Sequence, residues 1–235
     1  MRQIKWDQVG ERRFETGVDH GVLYLPNTEG VYASGFAWNG LTAVTESPSG
    51  AESNPQYADN IKYLNLTSAE EFGATVEAFT YPDEFAECDG TAVPEAGVYI
   101  GQQRRRQFGI SYRTQLGNDL EGTGFGYKLH LVYGALAAPS EKGYTTVNDS
   151  PEALTFSWEL TTTPVEVGVV DDKEYGPTAS LVVDSTKVSP AALADLEEIL
   201  YGVEASTDPV VAAVAPRLPL PLEVIALFAA APVAP

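Results

Sequence analysis

A chain of 235 residues, 44% of them hydrophobic, can bury a real core, and its length fits one large β domain or two small ones. Its 33 Asp and Glu against 14 Lys and Arg give a formal charge of -19, which argues against a surface that grips phosphate by counterion release. Cys88 is the single cysteine, excluding an internal disulfide and a thiolate metal cluster, so the fold must stand on packing alone.

The opening Met1-Arg-Gln-Ile-Lys-Trp6 lacks the apolar core of a signal peptide, and no run of about eighteen apolar residues follows, so the chain is expected to be made and kept in a cytoplasm. Strands are predicted at 21–25 and 38–44. The next stretch, TESPSGAESNPQYADN at 45–60, reads as a loop far longer than an ordinary strand connection. Another strand is predicted at 61–66 and one more at 72–81, after which Pro82-Asp-Glu-Phe-Ala-Glu87 is expected to form a short helical segment, its acids near the positive end of the helix dipole.

From 108 the period is two. Phe108, Ile110, Tyr112 and Leu116 fall on one face, with Ser111, Arg113 and Gln115 on the other, which predicts a half-buried strand. Tyr127–Tyr133 alternates in the same way, Lys128 and His130 lying opposite Leu129 and Leu131, and so does Leu154–Leu160. Gly117-Asn118-Asp119 and the glycines from Gly122 to Gly126 mark turns. A strand at 178–183 precedes the clearest helix, Pro190–Tyr201, with Ser189 as N-cap, Leu193, Leu196, Ile199 and Leu200 on one side, and Gly202 as the stop. Beyond Asp208 the composition turns to Ala, Val and Pro, with a short apolar helix expected at Pro221–Ala230. This reads as an arm that docks on something, another subunit being the expected partner. No strand is followed by a long helical crossover, so the sheet is expected to be antiparallel.

Residues able to do chemistry are sparse. His20 and His130 are the only histidines and share no fixed spacing with a third donor, which disfavours a metal site. His130, on a polar strand face, is expected at the surface. The pairs Glu70-Glu71 and Asp171-Asp172 do not make a glycosidase dyad, because neighbours on a strand point apart. Gly122–Gly126 lacks the helix and Lys of a phosphate loop. Of the tryptophans Trp6, Trp38 and Trp158, the last alternates with core residues and is expected to be packed. Cys88 is expected to be an inert small side chain. Arg104-Arg105-Arg106 is the one basic cluster, either a solvated face or a patch that meets acids of a neighbouring copy.

An ordered set of stretches runs from residue 12 to about 202: Arg12–Tyr24, Ala37–Leu41, Glu46–Glu52, Tyr57–Asn60, Tyr81–Ala86, Gln107–Thr114, Lys128–Tyr133 and Thr161–Pro164. In these the chain resembles the major tail proteins, or tail-tube proteins, of long-tailed, non-contractile bacteriophages of Gram-positive hosts. No single motif is a chemical signature; the specificity lies in the order.

The resemblance implies a mainly β fold, an antiparallel sandwich or barrel of the tail-tube type with one or two short helices and extended arms. It implies hexameric rings stacked into a tube that conducts DNA without binding it specifically, with no enzyme activity, no cofactor and no membrane insertion. The implied partners are further copies of the chain, a tape-measure protein in the lumen, tail terminator and distal tail proteins, and tail assembly chaperones. The virion tail is the implied location, after synthesis in the host bacterial cytoplasm.

On this reading residues 1–20 are an N-terminal arm, 21–202 the β domain, 45–60 an assembly loop that stays disordered until it binds, and 203–235 a C-terminal arm. The candidate subunit contacts are Glu46, Ser47, Glu52, Tyr57, Asp59, Asn60 and Ile61 in the loop, Arg104, Arg105 and Arg106, Trp6 in the first arm, and Val211 and Leu218 in the last. Two other readings stand beside it: an acidic carbohydrate-binding β module exposing Trp and Tyr on a groove, and a β-sandwich hydrolase with two carboxylates across a cleft.

Overall fold

The fold was taken from a computed structural model that describes residues 4–147, 149, 153–207 and 210–230. Residues 1–3, 208–209 and 231–235 of the expected arms lie outside the described residues.

In chain order the main strands begin with β1 (Arg13–Pro26), β2 (Tyr32–Trp38) and β3 (Leu41–Glu46). The short β4 (Ser49–Gly50) leads into β5 (Ser53–Ala58), β6 (Ile61–Thr67) and β7 (Glu70–Glu71), and β8 (Gly73–Ala78) follows. A 3-10 segment at Asp83–Glu87 precedes β9 (Ala92–Glu95) and β10 (Val98–Ile100). The long pair β11 (Phe108–Asn118) and β12 (Gly122–Ala137) forms the centre, then come β13 (Phe156–Thr162), β14 (Gly168–Val170), β15 (Lys173–Tyr175) and β16 (Ser180–Asp184). Helix α1 spans Pro190–Tyr201, β17 Ser206–Thr207, β18 Val210–Val211, and α2 Pro221–Ala230. Both helices have the predicted bounds. The fold is mainly β and antiparallel, as expected.

One sheet dominates, in the order β2-β1-β11-β12-β13-β8-β3, with β16 added alongside β12. Its two end strands, β2 and β3, are consecutive in sequence and separated only by Asn39-Gly40, so the sheet must curl until its ends meet at that corner. β12 changes partner along its length: Lys128–Val132 pair with β16, whereas Ala135–Ala137 pair with β13. Gly134, at φ +58, sits at the change, and a Cβ there would stand 2.2 Å from the carbonyl oxygen of Thr163.

Alternation along the central strands feeds two cores. Leu23, Ile110, Tyr112, Val132, Trp158 and Leu160 point inward with Trp38, Phe85 and Cys88, where Phe85 meets Trp158 edge-on at 5.1 Å. Val22, Tyr24, Leu129, Leu131 and Tyr133 point outward and are covered by Leu193, Leu196 and Leu200 of α1 and Val224 of α2. The central strands are therefore buried on both faces. This corrects the half-buried reading of 108–116, where Ser111 is 1% exposed and its hydroxyl lies 3.2 Å from that of Tyr24.

The expected C-terminal arm folds back on its own subunit. Val203 and Val214 exchange backbone hydrogen bonds of 2.9 Å, and Leu218 N–H donates to the Tyr32 carbonyl at 3.2 Å. Tyr133 donates its hydroxyl to the Pro219 carbonyl at 2.9 Å. Leu218, expected at a subunit contact, is 2% exposed over Gly109 and packs in the core of its own chain, because apolar surface within reach of its own sheet is covered first. β1 likewise takes in residues 13–20 of the expected first arm, bending at Gly17 (φ +67) and His20 (φ 51), where its register against β11 shifts.

Candidate functional site

The stretch read as a loop is a projecting β arm. β3 and β8 run together as far as Glu46 and Ala74, and Ser47 N–H donates to the Gly73 carbonyl at 2.8 Å. Beyond that the two chains continue as a two-pair ladder, Ser49 to Glu71 and Gly50 to Glu70. Gly50 (φ +83) and Ala51 (φ 52) then turn the chain, and the outer ladder β5–β6 follows. At its tip Asp59 and Asn60 both have positive φ, 50° and 61°, the conformation of a two-residue hairpin turn matched to strand twist. Ser, Asn and Pro concealed this hairpin in the sequence; the Asp59-Asn60 turn between two six- or seven-residue runs was the signal for it.

Register assigns the faces of the arm. Asn54 faces Leu66, Gln56 faces Leu64 and Ala58 faces Ile61, so the three aliphatic residues share one side. Tyr57 faces Lys62 on the other, beside the bulge that holds Tyr63. Every residue of β6 is exposed, and Tyr57, Ile61, Tyr63 and Leu66 each show more than half of their surface to solvent. Two-stranded ladders are marginal alone, and this one carries large apolar side chains on both faces.

Glu46, a predicted contact, anchors the root of the arm. Tyr112 donates its hydroxyl to Glu46 Oε1 at 2.7 Å, and the His130 ring stacks on Tyr112 at 4.7 Å and 8°. His130 Nδ1 stands 3.2 Å from the same carboxylate oxygen but off the line of a hydrogen bond, while Nε2 lies 3.0 Å from Thr114 Oγ1. His130 is 8% exposed, which corrects its placement at the surface: burial lowers its pKa, against the opposing pull of Glu46 and Glu15. Lys128 Nζ closes the cluster against Glu15 Oε2 at 2.5 Å.

The basic run divides into structural and free members. Arg105 reaches buried Asp89 at 3.3 Å, and Arg106 donates to Glu87 Oε2 at 2.9 Å and to the Pro26 carbonyl. Arg104 is exposed and has no ion pair among the described residues; it lines an open cleft with Asn27, Thr28 and Glu87. Just before it the β9–β10 hairpin exposes Val98, Tyr99 and Ile100. Trp6 is 76% exposed, Ser47, Glu52, Asp59 and Asn60 are exposed, and Val211 lies in β18, paired through its backbone with Ser206. The structure thus gathers the loop candidates on one arm, places the arginines elsewhere, and removes Leu218 from the surface.

Cys88 is buried and burial pushes its thiol up to about 12. Among the described residues no group of three His, Cys, Asp or Glu is placed to hold a metal ion, and no helix is long and apolar enough to cross a membrane.

No protein-family model matches the chain, and no curated protein does. Among solved structures, a chain of the sheath–tube complex of an extracellular contractile injection system, PVC, in its extended state aligns at 11% identity and a TM-score of 0.33, covering 70% of this chain and 88% of that one. A chain of the six-fold symmetrised baseplate of the anti-feeding prophage, AFP, aligns at 10% identity and a TM-score of 0.36, covering 77% and 97%.

Proposed function

We propose that this chain is a structural subunit that polymerises, as rings of six stacked into a tube, to form the tail tube of a long-tailed phage. The observation that carries the reading is the β5–β6 arm, a hairpin clear of the body whose two faces both carry exposed apolar residues. A side chain such as Ile61, 62% exposed, forgoes more than half of the about 1.5–3 kcal/mol that full burial contributes, which favours covering the arm with another surface. The ordered sequence resemblance to tail-tube proteins supports the same conclusion, and the charge of -19 suits a wall past which DNA slides.

The carbohydrate-binding reading loses two of its three tryptophans. Trp38 and Trp158 are 3% and 0% exposed in the inner core, so they build no carbohydrate platform. Negative-stain electron microscopy of purified protein over a concentration series tests the proposal. Six-fold rings or tubes with an open lumen are expected; single particles at every concentration would sink it.

A further inference from the structure

Asn39 is the only asparagine in the chain followed by glycine, and Asn39-Gly40 is the whole connection between β2 and β3. Both residues are exposed, and among the described residues neither the Asn39 side chain nor the Gly40 N–H has a hydrogen-bond partner. Asn118, by contrast, has its amide oxygen held by the N–H groups of Leu120 and Glu121. Asp89-Gly90, the matching acid step, is shielded too: its carboxylate side chain is 6% exposed and takes Lys142, Arg105 and Trp158. Gly40 lacks a Cβ and sits at φ +74, so nothing on its own residue screens its nitrogen from the asparagine side chain.

A base stands across the ladder from this step. β1 and β2 pair Gly21 with Trp38, and the next rung outward sets His20 opposite Asn39. His20, Asn39 and Gly40 line one open cleft of about 460 Å³, together with Asp19 and Tyr201. His20 is held at a φ of 51°, uncommon for a residue with a side chain. Its Nδ1–H donates to Asp19 Oδ1 at 2.9 Å, and Asp19 is itself fixed by two bonds from Arg113. Nε2 is therefore the ring nitrogen with a free lone pair.

We propose that the Asn39-Gly40 step modifies itself: Asn39 deamidates, with His20 as the base, and part of the product is isoaspartate. The Gly40 nitrogen attacks Asn39 Cγ while His20 Nε2 takes its proton. The C–N bond of the side-chain amide breaks, and the proton leaves with that nitrogen as ammonia. Water then opens the resulting cyclic imide at either carbonyl, giving aspartate or isoaspartate. The net change is NH exchanged for O, and no oxidant, cofactor or second chain takes part. Either product puts a new carboxylate in the cleft beside Asp19. Isoaspartate also adds a backbone carbon at the corner where the sheet closes.

The test holds full-length protein at neutral pH and physiological temperature, one sample folded and one unfolded in guanidinium chloride, and follows Asn39 and Asn118 by peptide mapping with mass spectrometry. The unfolded chain keeps the Asn-Gly step but not the placement of His20. A well-placed base contributes about 10²–10⁴-fold, and His20, whose side chain is 50% exposed, is expected to give roughly tenfold. Folded protein should therefore convert Asn39 roughly tenfold faster than the unfolded chain while Asn118 stays intact. His20→Gln should bring the folded rate down to the unfolded one. Folded conversion no faster than unfolded, or a rate unmoved by His20→Gln, overturns the role of His20. No conversion of Asn39 in either state overturns the site.

Discussion

Asp89 takes three donors at once: Lys142 Nζ at 2.5 Å, Arg105 Nη1 at 3.3 Å and Trp158 Nε1 at 3.2 Å. Lys142 also stands over the Tyr81 and Phe156 rings at 5.7 and 5.8 Å, so one carboxylate ties the 138–147 segment, the arginine run and the inner aromatic core together. Its side chain is 6% exposed. Asp89→Ala strands two cations beside the core and is expected to cost about 3–5 kcal/mol, read as a shift in the denaturation midpoint at unchanged slope.

Asp19 gives a pH test. Burial raises its pKa, but hydrogen bonds from Arg113, Gln115 and His20 outweigh burial and hold it at about 2. A carboxylate depressed in the folded state stabilises above its unfolded pKa of about 3.9, and that stabilisation is lost as pH falls through the folded value. The melting temperature of the wild type should therefore exceed that of Asp19→Asn at pH 5 to 7, with the gap closing from about pH 4 down to about 2. A gap independent of pH would refute this account.

At the scale of elements, the arm and the C-terminal return segment behave oppositely. Replacing 51–69 by a short Gly-Ser turn removes no core residue, so the folded body is expected to keep its melting temperature while losing assembly. Loss of the body, or normal tubes, would each contradict the division drawn here. Leu218→Ala opens a cavity over Gly109 and is expected to destabilise by about 2–5 kcal/mol, measured by chemical denaturation.

Legibility in the sequence follows the same division. Both helices were readable because their signals are local: proline at the first turn, a leucine stripe, and Gly202, whose φ of +78 and closeness to the Val214 carbonyl admit no side chain. Trp158 and Cys88 were readable as packed residues. His130 was not, because alternation marks a polar face without showing whether β3 will lie across it, and that depends on the sheet curling closed. The arm was hidden by composition, and the burial of Leu218 by a pairing with Tyr32 that lies 186 positions away. Of the site itself, the loop candidates and Arg104 were readable as exposed polar or aromatic residues; the structural duties of Glu46, Arg105 and Arg106 were not.

For the whole molecule, charge makes the simplest prediction. With a net -19 and Arg105 and Arg106 committed within the chain, the protein is expected to give no shift of double-stranded DNA on a gel at physiological salt. Retention of DNA that weakens steeply with salt would remove the argument for a non-adhesive wall.

The pairing of β1 with β11 sets a timetable for folding. Arg13 meets Asn118 and Tyr24 meets Gly109, so the first long strand has no sheet partner on that side until more than a hundred residues have been made. Closing such distant contacts costs loop entropy before any ladder repays it, which makes folding slow and leaves early apolar strands uncovered meanwhile. Synthesis at low temperature, or beside a holding chaperone, should therefore raise the soluble yield more than any change to the finished surface.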